Sequence, residues 1–129
     1  MNHSFGKEYK LCSKKLIDEV FESGATVKSY PLIAKYKTAE LKSDTSFQMV
    51  ISAPKRTFKN AFQRNRIKRL CKEAIRMNKK VLEEHLTNKK LKLGICLIYS
   101  AKEELNIELL NRKTQKLFTK IIDDLDESI

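Results

Sequence analysis

Residues 54–80 read PKRTFKNAFQRNRIKRLCKEAIRMNKK. Pro54 cannot donate to a strand ladder, so an extended run ends there. Asn60 is a favourable helix N-cap, and Gln63 follows three residues on, much like a capping box. A helix is therefore expected over about 61–77. Asn78 and the lysines after it mark a break, with another turn or two continuing to about Leu86. From Lys55 to Lys80 there are eleven Lys or Arg and one acid, Glu73, in a chain whose total charge is +11. Nearly all the excess charge of the molecule is in this one segment.

Turning the helix by about 100° per residue sorts these charges. Ile67, Leu70, Cys71, Ala74 and Met77 share one side. Asn65, Lys68, Arg69, Lys72 and Arg76 share the other, with Arg64 and Arg66 on the flanks. The apolar side can dock on a core. Cations spaced one turn apart repel, and Glu73 looks poorly placed to relieve them.

Outward from the helix, the hydrophobic pattern switches period. Leu32, Ala34 and Tyr36 alternate with Ile33, Lys35 and Lys37, and Phe47, Met49, Ile51 and Ala53 alternate with Gln48, Val50 and Ser52. Both read as strands, and the polar link between them suggests a hairpin. Ser13 can cap a short helix over about 14–23, carrying Leu16, Ile17, Val20 and Phe21 and stopped by Gly24. Leu91–Tyr99 is apolar on both faces and reads as a central strand. Leu105–Leu125 closes the chain as an amphipathic helix capped by Asn106. Residues 1–12 carry no strong periodicity and read as extended or loosely ordered. The acids of 124–129 read as a solvated tail. The order α-β-β-α-β-α is an α+β single domain over 1–129, with helices packed on a small mixed sheet.

Composition narrows the function. At 129 residues, 41% apolar and 33% charged, the chain can build one core and is not low-complexity. A strongly basic protein is expected to meet a polyanion. No apolar run approaches the roughly 20 residues that span a bilayer, and no secretory signal is evident, so a cytoplasmic protein without a membrane partner is expected. Cys12, Cys71 and Cys96 are odd in number and widely spaced, which reads as free thiols in a reducing compartment.

The basic face has a plain reading, a solvated surface, and a functional one, a track for phosphates. Arginine forks suit phosphate and base edges, and Asn65 among them can bind a base or ribose edge. Membrane docking would need large apolar residues on the exposed side. A DNA-binding helix-turn-helix would need a helix just before this one, where the chain reads as strand and proline. The interface expected from the residues comprises Lys55, Arg56, Lys59, Arg64, Asn65, Arg66, Lys68, Arg69, Lys72 and Arg76.

The run AFQRNRIKRLCKEAIR (61–76), preceded by Pro54-Lys55-Arg56, resembles the signature of the bacterial ribonuclease P protein subunit. Arg64, Asn65, Arg66, Lys68 and Arg69 match its core, and Lys55, Arg56, Lys72 and Glu73 match its flanks. Val20-Phe21 with Gly24, the strand LGICLIY (93–99) and the last helix extend the resemblance over most of the chain.

The resemblance implies a fold like the second domain of ribosomal protein S5, with a left-handed βαβ crossover. It implies a ribonucleoprotein in which the RNA subunit hydrolyses one phosphodiester with Mg2+, releasing the 5′ leader of precursor tRNA. The protein would bind ribonuclease P RNA and the leader, as a monomer in a 1:1 complex, without a small-molecule ligand. Two features depart from the family pattern. Thr57-Phe58-Lys59-Asn60 replaces a gap usually small and Gly-containing, and Ile17 stands where an aromatic is usual. A leader cleft would then draw on Ile17 and Phe21, with Tyr36 and Phe47 as candidate replacement rings; ordinary core is the alternative for the three rings. The alternative function is a non-catalytic RNA-binding protein, ribosomal or assembly-related, on the same fold.

No catalytic constellation appears in the chain itself. The acids at Glu103, Glu104 and Glu108 suit the start of a helix. His3 and His85 lie near no cysteine, so no protein metal site is expected. Cys71 falls on the buried side of its helix.

Overall fold

The computed structural model describes residues 6–127. A 3-10 turn, Lys7–Tyr9, precedes α1 (Lys14–Ser23), β1 (Ala25–Ser29), β2 (Leu32–Thr38), β3 (Phe47–Ser52), α2 (Ala61–Lys89), β4 (Leu93–Tyr99) and α3 (Ile107–Glu127). The strands form one mixed sheet in the order β1-β2-β4-β3. The α+β class and the single layered domain are as expected.

The hairpin expected between the strands near 32–36 and 47–53 does not form. β4 lies between them, antiparallel to β2 and parallel to β3. A strand buried on both faces is most stable with neighbours on both edges, and β4 takes both. The hairpin instead joins β2 to β1, a strand the sequence pattern does not show, through a cis Tyr30–Pro31 peptide. β1 is an edge strand whose Ala25, Thr26 and Lys28 are exposed, so it carries no apolar alternation to read.

Helix starts and stops follow local chemistry. Ser13 Oγ accepts from Leu16 N at 3.2 Å, Asn60 Oδ1 from Phe62 N at 2.8 Å, and Asn106 Oδ1 from Leu109 N at 2.8 Å. Gly24 ends α1 where the backbone passes between two carbonyls. A Cβ there would overlap Val20 O and lie 2.9 Å from Tyr36 O. α2 runs unbroken past Asn78, correcting the expected break. The Asn78 side chain donates to Ala74 O, one turn back at 2.8 Å, and to Asn111 Oδ1 of α3 at 2.5 Å. An asparagine that disfavours an isolated helix thus serves here as a bridge between two helices.

α2 and α3 cover one face of the sheet. That face buries Leu32, Ala34, Tyr36, Phe47, Met49, Leu93, Ile95, Leu97 and Tyr99. α1 lies on the other face, against Gly94. A Cβ at Gly94 would meet Leu16 Cδ2 at 3.3 Å and Val20 Cγ2 at 3.6 Å, so the missing side chain lets the helix approach.

Residues 6–12 are held tightly, against expectation; residues 1–5 lie outside the described range. Tyr9 and Leu11 are buried, Lys10 bridges Met49, and Leu11 N donates to Met49 O at 3.1 Å. Tyr9 packs its ring 5.4 Å from Phe47 and donates its hydroxyl to Glu83 Oε2 at 2.9 Å. The buried Lys79 donates to Glu83 Oε1 at 2.9 Å and to Tyr9 Oη at 3.2 Å. Burial pushes the Lys79 ammonium down, but the Glu83 carboxylate and the Tyr9 hydroxyl outweigh it and hold it above the ordinary lysine range. The acidic end of the chain is also no free tail as far as it is described. Asp124 accepts from the Tyr36 hydroxyl, and Asp126 lies 2.9 Å from His85 Nε2 and 4.0 Å from Lys89 Nζ.

Tyr9→Ala should cost about 3 kcal/mol of stability in urea unfolding, the scale for truncating a buried ring. Tyr9→Phe should cost about 1 kcal/mol, because only the hydroxyl contacts are lost. Equal losses would mean that the ring packing against Phe47 contributes nothing.

Candidate nucleic-acid interface

α2 begins at the end of the β3 strand, after a tight turn. Thr57 N and Phe58 N both donate to Pro54 O, at 3.2 and 3.0 Å. This turn pushes Lys55, Arg56 and Lys59 into solvent while Phe58 inserts into the core, 1% exposed, 5.9 Å from the Tyr99 ring. Thr57-Phe58-Lys59-Asn60 therefore works as an anchored corner in which an aromatic plug fixes the base of the cationic segment.

Along α2 the buried side is turned relative to the simple helical reading. Ile67, Cys71 and Ala74 are buried as expected, and so are Ile75 and Lys79; Leu70 is half-buried and Met77 is 52% exposed. The reason is that α3 and the Tyr9 segment both pack on α2, drawing it round toward Ile75 and Lys79. Arg64 consequently folds back, donating from Nη1 to Phe58 O at 2.7 Å and Lys59 O at 3.0 Å. It stitches the corner to the helix.

Two further cations are partnered. Arg76 forms a forked pair with Glu73, with contacts of 3.0 and 2.5 Å. Glu73 therefore does relieve the ridge, and the Arg76 guanidinium holds its carboxyl below the ordinary range. Arg66 Nε lies 3.0 Å from Glu104, an acid that precedes α3. Lys55, Arg56, Lys59, Lys68, Arg69 and Lys72 meet no carboxylate within ion-pair distance among the described residues. Asn65 and Arg69 are exposed between them. Phe62, in the first turn of α2, is 75% exposed beside these cations. Nothing in the sequence pattern singles it out, and its exposure in the fold reveals it as a surface ring.

Of the four residues expected to line a leader cleft, the structure brings two together. Ile17 is half-buried and Phe21 exposed on α1, with Lys35 Nζ 5.6 Å from the centre of the Phe21 ring. Tyr36 and Phe47 point to the opposite face, 3% and 0% exposed, Phe47 lying between Tyr9 and Phe118. They are core, not cleft. Strand pairing identifies what replaces them on the α1 side. Ile33 lies opposite Ile98, and Lys35 and Val50 flank Cys96, all at positions alternating with the buried face. Ile33, Lys35, Val50 and Ile98 are only half-buried, so α1 leaves part of this face open.

The Ribonuclease P family model matches residues 5–122. The chain belongs to the ribonuclease P protein family. It is 29% identical over 122 residues to the ribonuclease P protein component of Porphyromonas gingivalis, covering 95% of this chain and 89% of that protein. Its fold matches the RNase P protein of Staphylococcus aureus at a TM-score of 0.67 and 18% identity, over 88% of this chain and 94% of that one. It also matches the RNase P protein from Thermotoga maritima at 0.68 and 17% identity, over 86% and 96% of the two chains. The chain is accordingly a protein subunit of a tRNA-processing endoribonuclease. The helix-turn-helix reading is excluded by the strand and turn before α2, and the alternative ribosomal or assembly role on the same fold by family membership.

The two buried thiols of this ribonuclease P protein, Cys71 and Cys96, are not nucleophiles in waiting. Burial pushes Cys71 up to about 12 and Cys96 up to about 11 from an ordinary 9.0. Iodoacetamide should modify only the exposed Cys12 in the folded protein and all three cysteines in urea, as read by mass spectrometry. The folded state keeps two protons that the unfolded chain releases. The stability linked to them is full below about pH 9 and falls as pH rises toward 11, by about 1.4 kcal/mol per pH unit for each thiol. Urea midpoints for Cys71→Ala across that range should show a shallower alkaline decline than the native chain.

Proposed function

We propose that this subunit binds the RNA of ribonuclease P through the start of α2 and the corner before it, and guides the 5′ leader of precursor tRNA along the open sheet face beside α1. The observation that carries the reading is the set of cations left without acids at Lys55, Arg56, Lys59, Lys68, Arg69 and Lys72, around the exposed Asn65. A fold that pairs Arg64, Arg66 and Arg76 locally and leaves these six open reserves them for an external polyanion. Phe62 offers a flat surface on which an unpaired base can stack beside them. On the α1 side, Phe21, Ile33, Val50 and Ile98 provide apolar contact for a single strand, and Lys35 supplies charge.

In this reading the RNA carries the chemistry with Mg2+, and the protein lowers the Mg2+ needed by bringing substrate and RNA together, one protein to one RNA in the cytoplasm. The described residues hold no cluster of three His, Cys, Asp or Glu suited to a metal ion. Their best-placed carboxylates are committed to Lys79, Arg76, Tyr36 and His85. Among the described residues no donor set fits a protein-held Mg2+, and this reading gives the ion to the RNA.

The test is reconstitution with ribonuclease P RNA of the same organism at low Mg2+, where the protein should stimulate 5′ processing. No stimulation overturns the proposal. Within it, Arg69→Gln and Lys72→Gln should each lower the salt dependence of RNA binding by about one unit of slope with no loss of folding. Arg64→Gln should instead cost about 1 kcal/mol of stability, because the part-buried Phe58 carbonyl and the exposed Lys59 carbonyl lose a donor. Phe62→Ala should weaken RNA binding by about 1–3 kcal/mol with the salt slope unchanged, as stacking and not charge is removed.

A further inference from the structure

The cationic track does not stop at α2. Lys68 and Lys72 line a cavity of about 470 Å³ at the free edge of the sheet, beside β3. Lys7 and Lys10 line its other side, and Val50 and Ile51 contribute apolar surface to its wall. No acid lines it, and none of the four lysines pairs with a carboxylate among the described residues.

This concentration of charge is built, not incidental. The 3-10 turn carrying Lys7 is fixed by Tyr9 N donating to Gly6 O at 3.1 Å and Lys10 N donating to Lys7 O at 3.0 Å. The Tyr9–Lys79–Glu83 contacts and the bond from Leu11 N to Met49 O then lock the segment onto α2 and β3. Four ammonium groups around one hollow repel one another, and none has an ion-pair partner among the described residues, although the Glu8 carboxylate lies beside Gly6 at the rim. Past the Lys10–Met49 bridge, the outer edge of β3 has no strand partner among the described residues.

We infer that this cavity holds a segment of single-stranded RNA, with phosphates on Lys7, Lys10, Lys68 and Lys72 and a ribose or base against Val50 and Ile51. The inference rests on the proposed RNA-binding function and extends it to the N-terminal lysines, which lie outside the family motif. The charge is continuous with the α2 ridge, so one strand can pass from ridge to cavity. Its source is either the RNA subunit or the precursor's leader, and the chemistry of recognition is the same for both.

The test uses the full chain carrying Lys7→Gln and Lys10→Gln together, with circular dichroism and thermal melting to confirm native folding. Binding to ribonuclease P RNA is measured against salt. In parallel, the reconstituted holoenzyme is given precursor tRNA with a long leader and with a one-nucleotide leader. The inference expects the salt slope to fall by about two units in one arm. A fall with the RNA subunit assigns the cavity to that RNA; a fall only with the long-leader precursor assigns it to the leader. Native affinity and slope in both arms, while Arg69→Gln still lowers the slope, would overturn the cavity and leave the proposed function standing. Failure of the unmodified protein to bind ribonuclease P RNA would sink the function itself. A glutamate-rich peptide that competes at the cavity as well as an oligoribonucleotide of equal charge would also overturn the RNA assignment, in favour of an acidic strand added to β3.

Discussion

β4 has two constraints to satisfy at once. Leu93, Ile95, Leu97 and Tyr99 fill the face under α2 and α3, while Cys96 on the opposite face is also buried. Both its edges carry backbone groups that must find partners. Only a central position meets both needs, and β2 and β3 are drawn to its two sides. Because β3 runs parallel to β4, the chain must travel back along the sheet between them, and α2 makes that return. The place where the cations stand follows directly. A helix forced to start at the end of β3 presents its first turns at the sheet's edge, with the Lys55–Asn60 corner beside it.

The crowding of positive charge within that geometry is relieved selectively. Arg64 is spent on the Phe58 and Lys59 carbonyls, Arg66 on Glu104 and Arg76 on Glu73. Each is a short local contact that supports the fold. Surface pairs of this kind contribute little apiece, so they temper the repulsion and do not remove it. The exposed lysines and Arg69 keep their field. Lys79 shows the opposite arrangement in the same helix, a buried ammonium enclosed by Glu83 and Tyr9.

What sequence made legible were the features with local causes. Asn60, Ser13, Asn106 and Gly24 cap or stop helices through bonds with residues two to four positions away. The alternation along β2 already separated Tyr36 from Ile33 and Lys35. It could not say which face α1 would cover, because that depends on Gly94, which lies 57 positions beyond its β2 partner Lys37 in the chain and beside it only once β4 pairs. Tyr36 and Phe47 were therefore plausible cleft residues until the register placed them under α3. Asn78 carries a local signal against helix, and its bond to Asn111 overrides it. Tyr9 and Leu11 lack periodicity because each is buried singly, by a different partner. The family motif itself was readable, since the spacing of its core lies within one helix; the distribution of its charges between fold and surface was not.

The unrelieved charge has a consequence for how the free and bound proteins respond to salt. In the free subunit, added salt screens the repulsion among the open cations and should favour the folded state. In the proposed complex, RNA phosphates take the place of those counterions, and the same salt weakens the association. In the proposed mode of binding, RNA acts on the fold through the same open cations. Binding only to the folded chain, it adds stability in proportion to its occupancy. The strain of holding many cations together becomes, on association, part of the driving force for it. A helix tuned for stability alone would place acids beside Lys68, Arg69 and Lys72. Here the acids that reach the ridge, Glu73 within α2 and Glu104 from the segment before α3, pair with Arg76 and Arg66 and leave the open face unneutralised.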